Sequence, residues 1–109
     1  MSDDRLQNLL TFLNQSPDDS FLSFAVAKEY EKRDQFDQAL KYYLNIKVKD
    51  PEYIGLYYHL GKLYETIQEE ILALQTYNEG IELGKKQRDF HATSELNNAK
   101  TNLEIILGN

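Results

Sequence analysis

Two stretches, Phe21-Leu22-Ser23-Phe24-Ala25-Val26-Ala27-Lys28-Glu29-Tyr30-Glu31 and Gly55-Leu56-Tyr57-Tyr58-His59-Leu60-Gly61-Lys62-Leu63-Tyr64-Glu65, stand 34 positions apart and decide the fold. A step of 34 carries Val26 to Leu60, Ala27 to Gly61, Lys28 to Lys62, Tyr30 to Tyr64 and Glu31 to Glu65. It also carries Ala39 to Ala73, Leu40 to Leu74 and Tyr43 to Tyr77. Run backwards, it takes Pro51 to Pro17, and Leu40 and Leu44 to Leu6 and Leu10. Size and polarity recur together, which is the mark of a structural repeat.

Within each period the apolar spacing is helical. Leu22, Val26 and Tyr30 fall at i, i+4 and i+8, as do Leu56, Leu60 and Tyr64, and Ala39, Tyr43 and Ile46 continue the rule. No stretch alternates long enough for a strand. Six helices are predicted, over about 3–14, 19–33, 36–49, 52–67, 70–86 and 89–107, joined by connections too short for anything but antiparallel neighbours. Asp50-Pro51 reads as a helix start, an acceptor for orphan amides followed by a residue that needs no donor; Ser16-Pro17-Asp18-Asp19 reads the same way one repeat earlier.

The chain has 109 residues, enough for one domain with a real core. It holds no cysteine, which removes disulfides, thiolate catalysis and Cys-based zinc sites. Eighteen acidic against twelve basic residues give a net charge of -6, a balance that opposes general binding to nucleic acid. No apolar run is long enough to span a membrane, and the opening Met1-Ser2-Asp3-Asp4 lacks the basic and apolar pattern of a signal peptide, so a cytoplasmic location is expected.

The 34-residue helix–turn–helix period resembles the tetratricopeptide repeat (TPR) family. Counted from Ser20, the family's pattern is met by Val26, Ala27, Tyr30, Phe36, Ala39, Tyr43 and Pro51; counted from Ile54, it is met by Tyr57, Leu60, Gly61, Tyr64, Ala73 and Tyr77. The chain departs from the pattern at Ser23, where an aromatic is typical, and at Lys85, where the second Pro is missing, so the helix ending near Lys86 should run on further than its predecessor. Asp34 and Gln68 replace the glycine often found in the turn between paired helices. The resemblance implies an all-α, right-handed superhelix of antiparallel helix pairs. The expected single domain over 1–109 comprises a half-repeat helix (1–19), repeats 20–53 and 54–87, and a capping helix (88–109). Small residues at Ala27/Ala39 and Gly61/Ala73 are expected where paired helices cross closely.

The resemblance also implies a surface. The family's concave-face positions map onto Phe21, Phe24, Lys28, Glu31 and Lys32, then Gly55, Tyr58, Lys62, Glu65 and Thr66. Helical spacing independently puts Phe21, Phe24 and Lys28 on one face, and not the face of Leu22, Val26 and Tyr30. The expected peptide-binding groove is therefore Phe21, Phe24, Lys28, Glu31, Lys32, Tyr58, Lys62 and Glu65. Its two aligned lysines, Lys28 and Lys62, favour a protein partner that brings an anionic group. The pattern differs from the subclass that clamps chaperone C-terminal carboxylates, because Lys28 and Lys62 stand where that subclass carries asparagine. Internal packing of Phe21 and Phe24 against the N-terminal helix, and neutralisation of the lysines by Glu31 and Glu65, are the plainer reading of the same residues.

Catalytic constellations are lacking. Gly84-Lys85-Lys86 ends like a phosphate loop without its upstream glycine, and reads as a helix terminus. No catalytic residue, metal site or cofactor is expected, and the function expected is a non-catalytic adaptor or scaffold that binds a partner peptide. One alternative is self-association into a homo-oligomer through a last helix bearing Phe90, Leu96, Leu103, Ile106 and Leu107. A remote one is a metal-dependent enzyme using His59 and His91.

Overall fold

The computed structural model describes residues 2–108, with side chains from 4 to 108. The described residues form six helices and no strand. The chain divides into two compact units, Met1–Tyr53 and Ile54–Asn109. The first unit holds α1 (Ser2–Gln15), α2 (Ser20–Lys32) and α3 (Phe36–Lys49); the second holds α4 (Gly55–Thr66), α5 (Glu70–Gln87) and α6 (Phe90–Ile106). Consecutive helices pack on one another within each unit.

In the first unit, Leu6 and Leu13 of α1 close over Val26, with Leu9, Leu10, Leu22, Tyr30 and Tyr42 packed around them. Tyr30 stacks on Tyr42 at 5.7 Å between ring centroids. Ala27 and Ala39 are fully buried in α2 and α3. In the second unit the core is Leu56, Leu60, Leu63, Ala73 and Tyr77, extended by Leu96 and Leu103 of α6. Gly61 of α4 lies against the ring of Tyr77, so close that a Cβ there would collide with it. The axes of α4 and α5 can approach because nothing projects from that position.

Two glycines of α5 extend this principle in a way the repeat pattern did not anticipate. A Cβ at Gly80 would stand 2.6 Å from Tyr57 Cβ and 2.9 Å from Leu96 Cδ1, and Gly84 meets Thr93 of α6. The helix is thus bare where α4 and α6 both press on it. At 18 residues it is longer than α3, with 14, as the missing proline leads one to expect.

One helix start differs from the sequence reading. Asp50-Pro51 does not open α4. Asp50 closes α3 instead, its amide donating to Ile46 O at 2.7 Å, and Tyr53 N then bonds back to Asp50 O at 3.0 Å to make the turn. The Asp50 carboxylate accepts from Ser20 Oγ at 2.7 Å, tying the end of α3 to the start of α2. Helix α4 begins at Gly55 without a side-chain cap. The equivalent stretch behaves as expected only at its last residue: Asp19 caps α2 by accepting from Leu22 N at 3.0 Å, while Pro17 lies in the turn before it.

Three junctions use one turn. Asp34, Gln68 and Arg88 have φ of 59°, 65° and 58°, the left-handed region, and the next amide reaches back in each case: Gln35 N to Tyr30 O, Glu69 N to Tyr64 O and Asp89 N to Gly84 O. This is the helix-terminating geometry that glycine favours. Gln68→Gly is therefore expected to stabilise the protein by about 0.5–1 kcal/mol, relief of the left-handed strain outweighing the freer unfolded chain. The midpoint of urea unfolding reads this directly, and an unchanged or lower midpoint contradicts it.

Candidate interaction surface

The period of 34 repeats hydrogen bonds as well as residue types. Tyr43 OH of α3 donates to Glu31 Oε1 of α2 at 2.7 Å, and Tyr77 OH of α5 donates to Glu65 of α4. Both phenols have their pKa pushed up, first by burial and then by the carboxylate that accepts from them, so each stays a proton donor at neutral pH. The bond links the last turn of a repeat's first helix to the middle of its second. Glu31 and Glu65, expected on the binding face, thus each carry a structural bond across their own helix pair.

The lysines of the two repeats are handled differently. Lys62 Nζ lies 3.8 Å from Glu65 Oε2, so its charge is answered within its own helix. Lys28 Nζ instead sits 5.8 Å from the centroid of the Phe24 ring. Glu31, its counterpart acid, is bound to Tyr43. Among the described residues no carboxylate pairs with Lys28 or with Lys32.

Phe24 is half-buried, with Tyr43 and Tyr53 edge-on to it at 6.0 and 5.7 Å. Burial pushes the Tyr53 hydroxyl pKa up, with Asp19 and Asp50 adding to the shift. Phe21, one turn earlier, is 68% exposed. Beside them α1 and α2 leave a hollow of about 510 Å³ lined by Phe21, Phe24, Lys28 and Lys32, four of the eight residues singled out from the sequence. Tyr58, Lys62 and Glu65 gather on α4 in the other unit, where Tyr58 meets His59 edge-on at 5.4 Å.

Arg5, Ala25 and Glu29 complete the hollow, and the sequence reading missed the two charged ones. Glu29 is only 4% exposed; it accepts from Arg5 Nε at 3.1 Å and from Arg33 Nη2 at 3.4 Å. The available signal lay in the repeat itself. Position 29 matches Leu63, a core residue, so a carboxylate there had to be compensated by cations.

The remaining expectations fall elsewhere. Gly84 faces Thr93, and Lys85 and Lys86 sit in the last turn of α5. His91 is exposed near Glu95, and no group of three or more His, Asp or Glu among the described residues could hold a metal ion. Leu96 and Leu103 of α6 are buried in the core of the second unit, so they cannot serve an external interface; Phe90, Ile106 and Leu107 do remain exposed, with Ile105 beside them. No helix of the described residues is long and apolar enough to cross a membrane.

No protein-family model and no curated protein matches the chain. Solved structures do. The crystal structure of a tetratricopeptide repeat domain protein from Salinibacter ruber is 40% identical, covers 79% of this chain and 96% of its own, and superposes with a TM-score of 0.75. A solution structure of a tetratricopeptide repeat domain protein from the same organism gives 40% identity, 81% and 89% coverage, and a TM-score of 0.78. A protein from Bordetella parapertussis is 26% identical, with 90% and 85% coverage and a TM-score of 0.78. Domains of this kind are generally protein-interaction modules and typically non-catalytic. Repeated side chains, repeated hydrogen bonds and a 40% identical relative lead to one conclusion: this chain belongs to the tetratricopeptide repeat family.

Proposed function

We propose that the chain is a non-catalytic adaptor that binds a peptide segment of a partner protein through first helices of its repeats, on the side that is concave in the family. The observation that carries this reading is the hollow at Phe21, Phe24, Lys28 and Lys32, where exposed aromatic surface adjoins two lysines without a carboxylate partner among the described residues. Aromatic side chains left open to solvent are the anchors interfaces use, and a local positive field in a protein of net charge -6 selects a partner carrying negative charge. On α4, Tyr58 and Lys62 hold the corresponding family positions, with Lys62 answered by Glu65.

Affinity capture of a partner, followed by titration of the identified segment, tests the reading. The double variant Lys28→Glu/Lys62→Glu should weaken binding by about tenfold or more, since a repulsive charge replaces an attractive one at each position. Both side chains are exposed, so the unfolding midpoint should hardly move. Undiminished affinity removes α2 and α4 as the binding face. A second reading, self-association, rests on exposed Phe90, Ile105 and Ile106 of α6. Sedimentation that shows a monomer at every concentration disposes of it.

A further inference from the structure

The hollow between α1 and α2 has a chemistry more specific than the general binding face, and the inference that follows rests on that face being the partner site. One wall is apolar, formed by Phe21, the half-buried ring of Phe24 and Ala25. The other is cationic. Lys28 and Lys32 are one helical turn apart, so their ammonium groups can converge on one anion. Arg5 uses Nε to meet Glu29 and is 63% exposed, which leaves its Nη groups for a ligand.

Glu29 is the only acid among the described residues that line the hollow, and its charge is already shared between Arg5 and Arg33 at 3.1 and 3.4 Å. It orients Arg5 more than it repels an incoming anion. Among the described residues no amide or hydroxyl side chain lines the cavity, and its polar groups apart from Glu29 are cations, so it favours a ligand side chain that carries negative charge. A cavity of about 510 Å³ accommodates one such group together with its flanking chain.

We propose that this hollow takes an anion borne on an aromatic body: the ring lies on Phe21, Phe24 and Ala25, and the charge falls between Lys28, Lys32 and Arg5. Two peptide sources share that chemistry, a phosphotyrosine and an acidic residue next to an aromatic one. The second repeat offers no equivalent, because Lys62 is engaged by Glu65. The preference is therefore a property of the first unit, and it makes Lys28 and Lys32, not Lys62, the residues that set specificity.

Phenyl phosphate is the first probe, followed by calorimetry and by NMR shift mapping on the whole chain. It should bind at least about tenfold more tightly than inorganic phosphate or phenol, because neither of those uses both walls. Shifts should centre on Arg5, Phe24, Lys28 and Lys32. Binding should weaken as salt rises from about 0.1 to 1 M, over which the Debye length falls from about 10 to 3 Å. Lys28→Gln/Lys32→Gln should abolish it, whereas Lys85→Gln, an exposed lysine at the end of α5, should leave it intact. Equal affinity for phenyl phosphate and inorganic phosphate overturns the proposal, as does an equal loss in Lys85→Gln.

Two short peptides, one with phosphotyrosine and one with Glu-Phe, then separate the sources. Affinity that climbs through about pH 6, where phosphate gains its second charge, marks the phosphorylated one. A flat profile over that range with tight Glu-Phe binding marks the other, and binding of neither peptide overturns the proposal. The partner experiment fails separately: a captured protein lost in Lys28→Glu/Lys62→Glu, with phenyl phosphate unbound, upholds the binding face and overturns this ligand class.

Discussion

Replacing Gly80 with valine should lower the free energy of unfolding by about 3 kcal/mol, at the upper end of overpacking costs. A Cβ there meets Tyr57 Cβ at 2.6 Å and Leu96 Cδ1 at 2.9 Å. The first of these is the root of a side chain and cannot swing away, and both residues belong to the buried core. Glycine costs a helix interior about 1 kcal/mol relative to alanine, so propensity alone makes most substitutions here stabilising. The packing term is larger and of opposite sign. Chemical denaturation of the valine and alanine variants decides between them: a midpoint at or above that of the parent would mean that α4 and α6 can retreat from α5 at little cost, and the seam would have to be redrawn.

Glu29→Ala is expected to cost about 2–3 kcal/mol. Loss of one partner from a buried ionic group costs about 3–5 kcal/mol, reduced here because Arg5 stays largely hydrated. The informative comparison is with Arg5→Ala, which should cost no more than about 1 kcal/mol, since the Arg5 side chain is 63% exposed and Glu29 retains Arg33. Measured together as a double-mutant cycle, the two should couple, because Arg5 has no other charged partner among the described residues. A strictly additive pair would show that Glu29 does not hold α1 to α2. If Glu29→Ala proved neutral, the buried carboxylate would have no structural part at all.

Much of the architecture was legible because helical periodicity and repeat spacing are properties of neighbouring positions along the chain. Val26/Leu60, Ala27/Gly61 and Tyr43/Tyr77 recur at 34 and occupy the same kinds of buried place. The α4 start was misread for the opposite reason. An Asp-Pro pair serves equally as a helix opening or as the turn after a helix, and the choice is made by Ser20, thirty residues earlier, whose hydroxyl takes the Asp50 carboxylate. Gly80 and Gly84 look like helix weaknesses in the sequence and are helix contacts in the fold.

The same division runs through the interaction surface. Spacing of three and four put Phe21, Phe24 and Lys28 on one side of a helix, the family resemblance added Lys32, and all four line one hollow. The tyrosines that take Glu31 and Glu65 come from the second helix of each pair, twelve positions away. Arg5 and Glu29 are 24 positions apart and meet only because α1 folds onto α2. By itself, then, the order of residues determined that this chain makes paired helices in a 34-residue rhythm, and which side of each helix is apolar. Only the tertiary structure decided which charges are answered by a partner among the described residues and which are not. Charge pairing depends on distances between side chains far apart in sequence, and those distances exist only once the helices have packed.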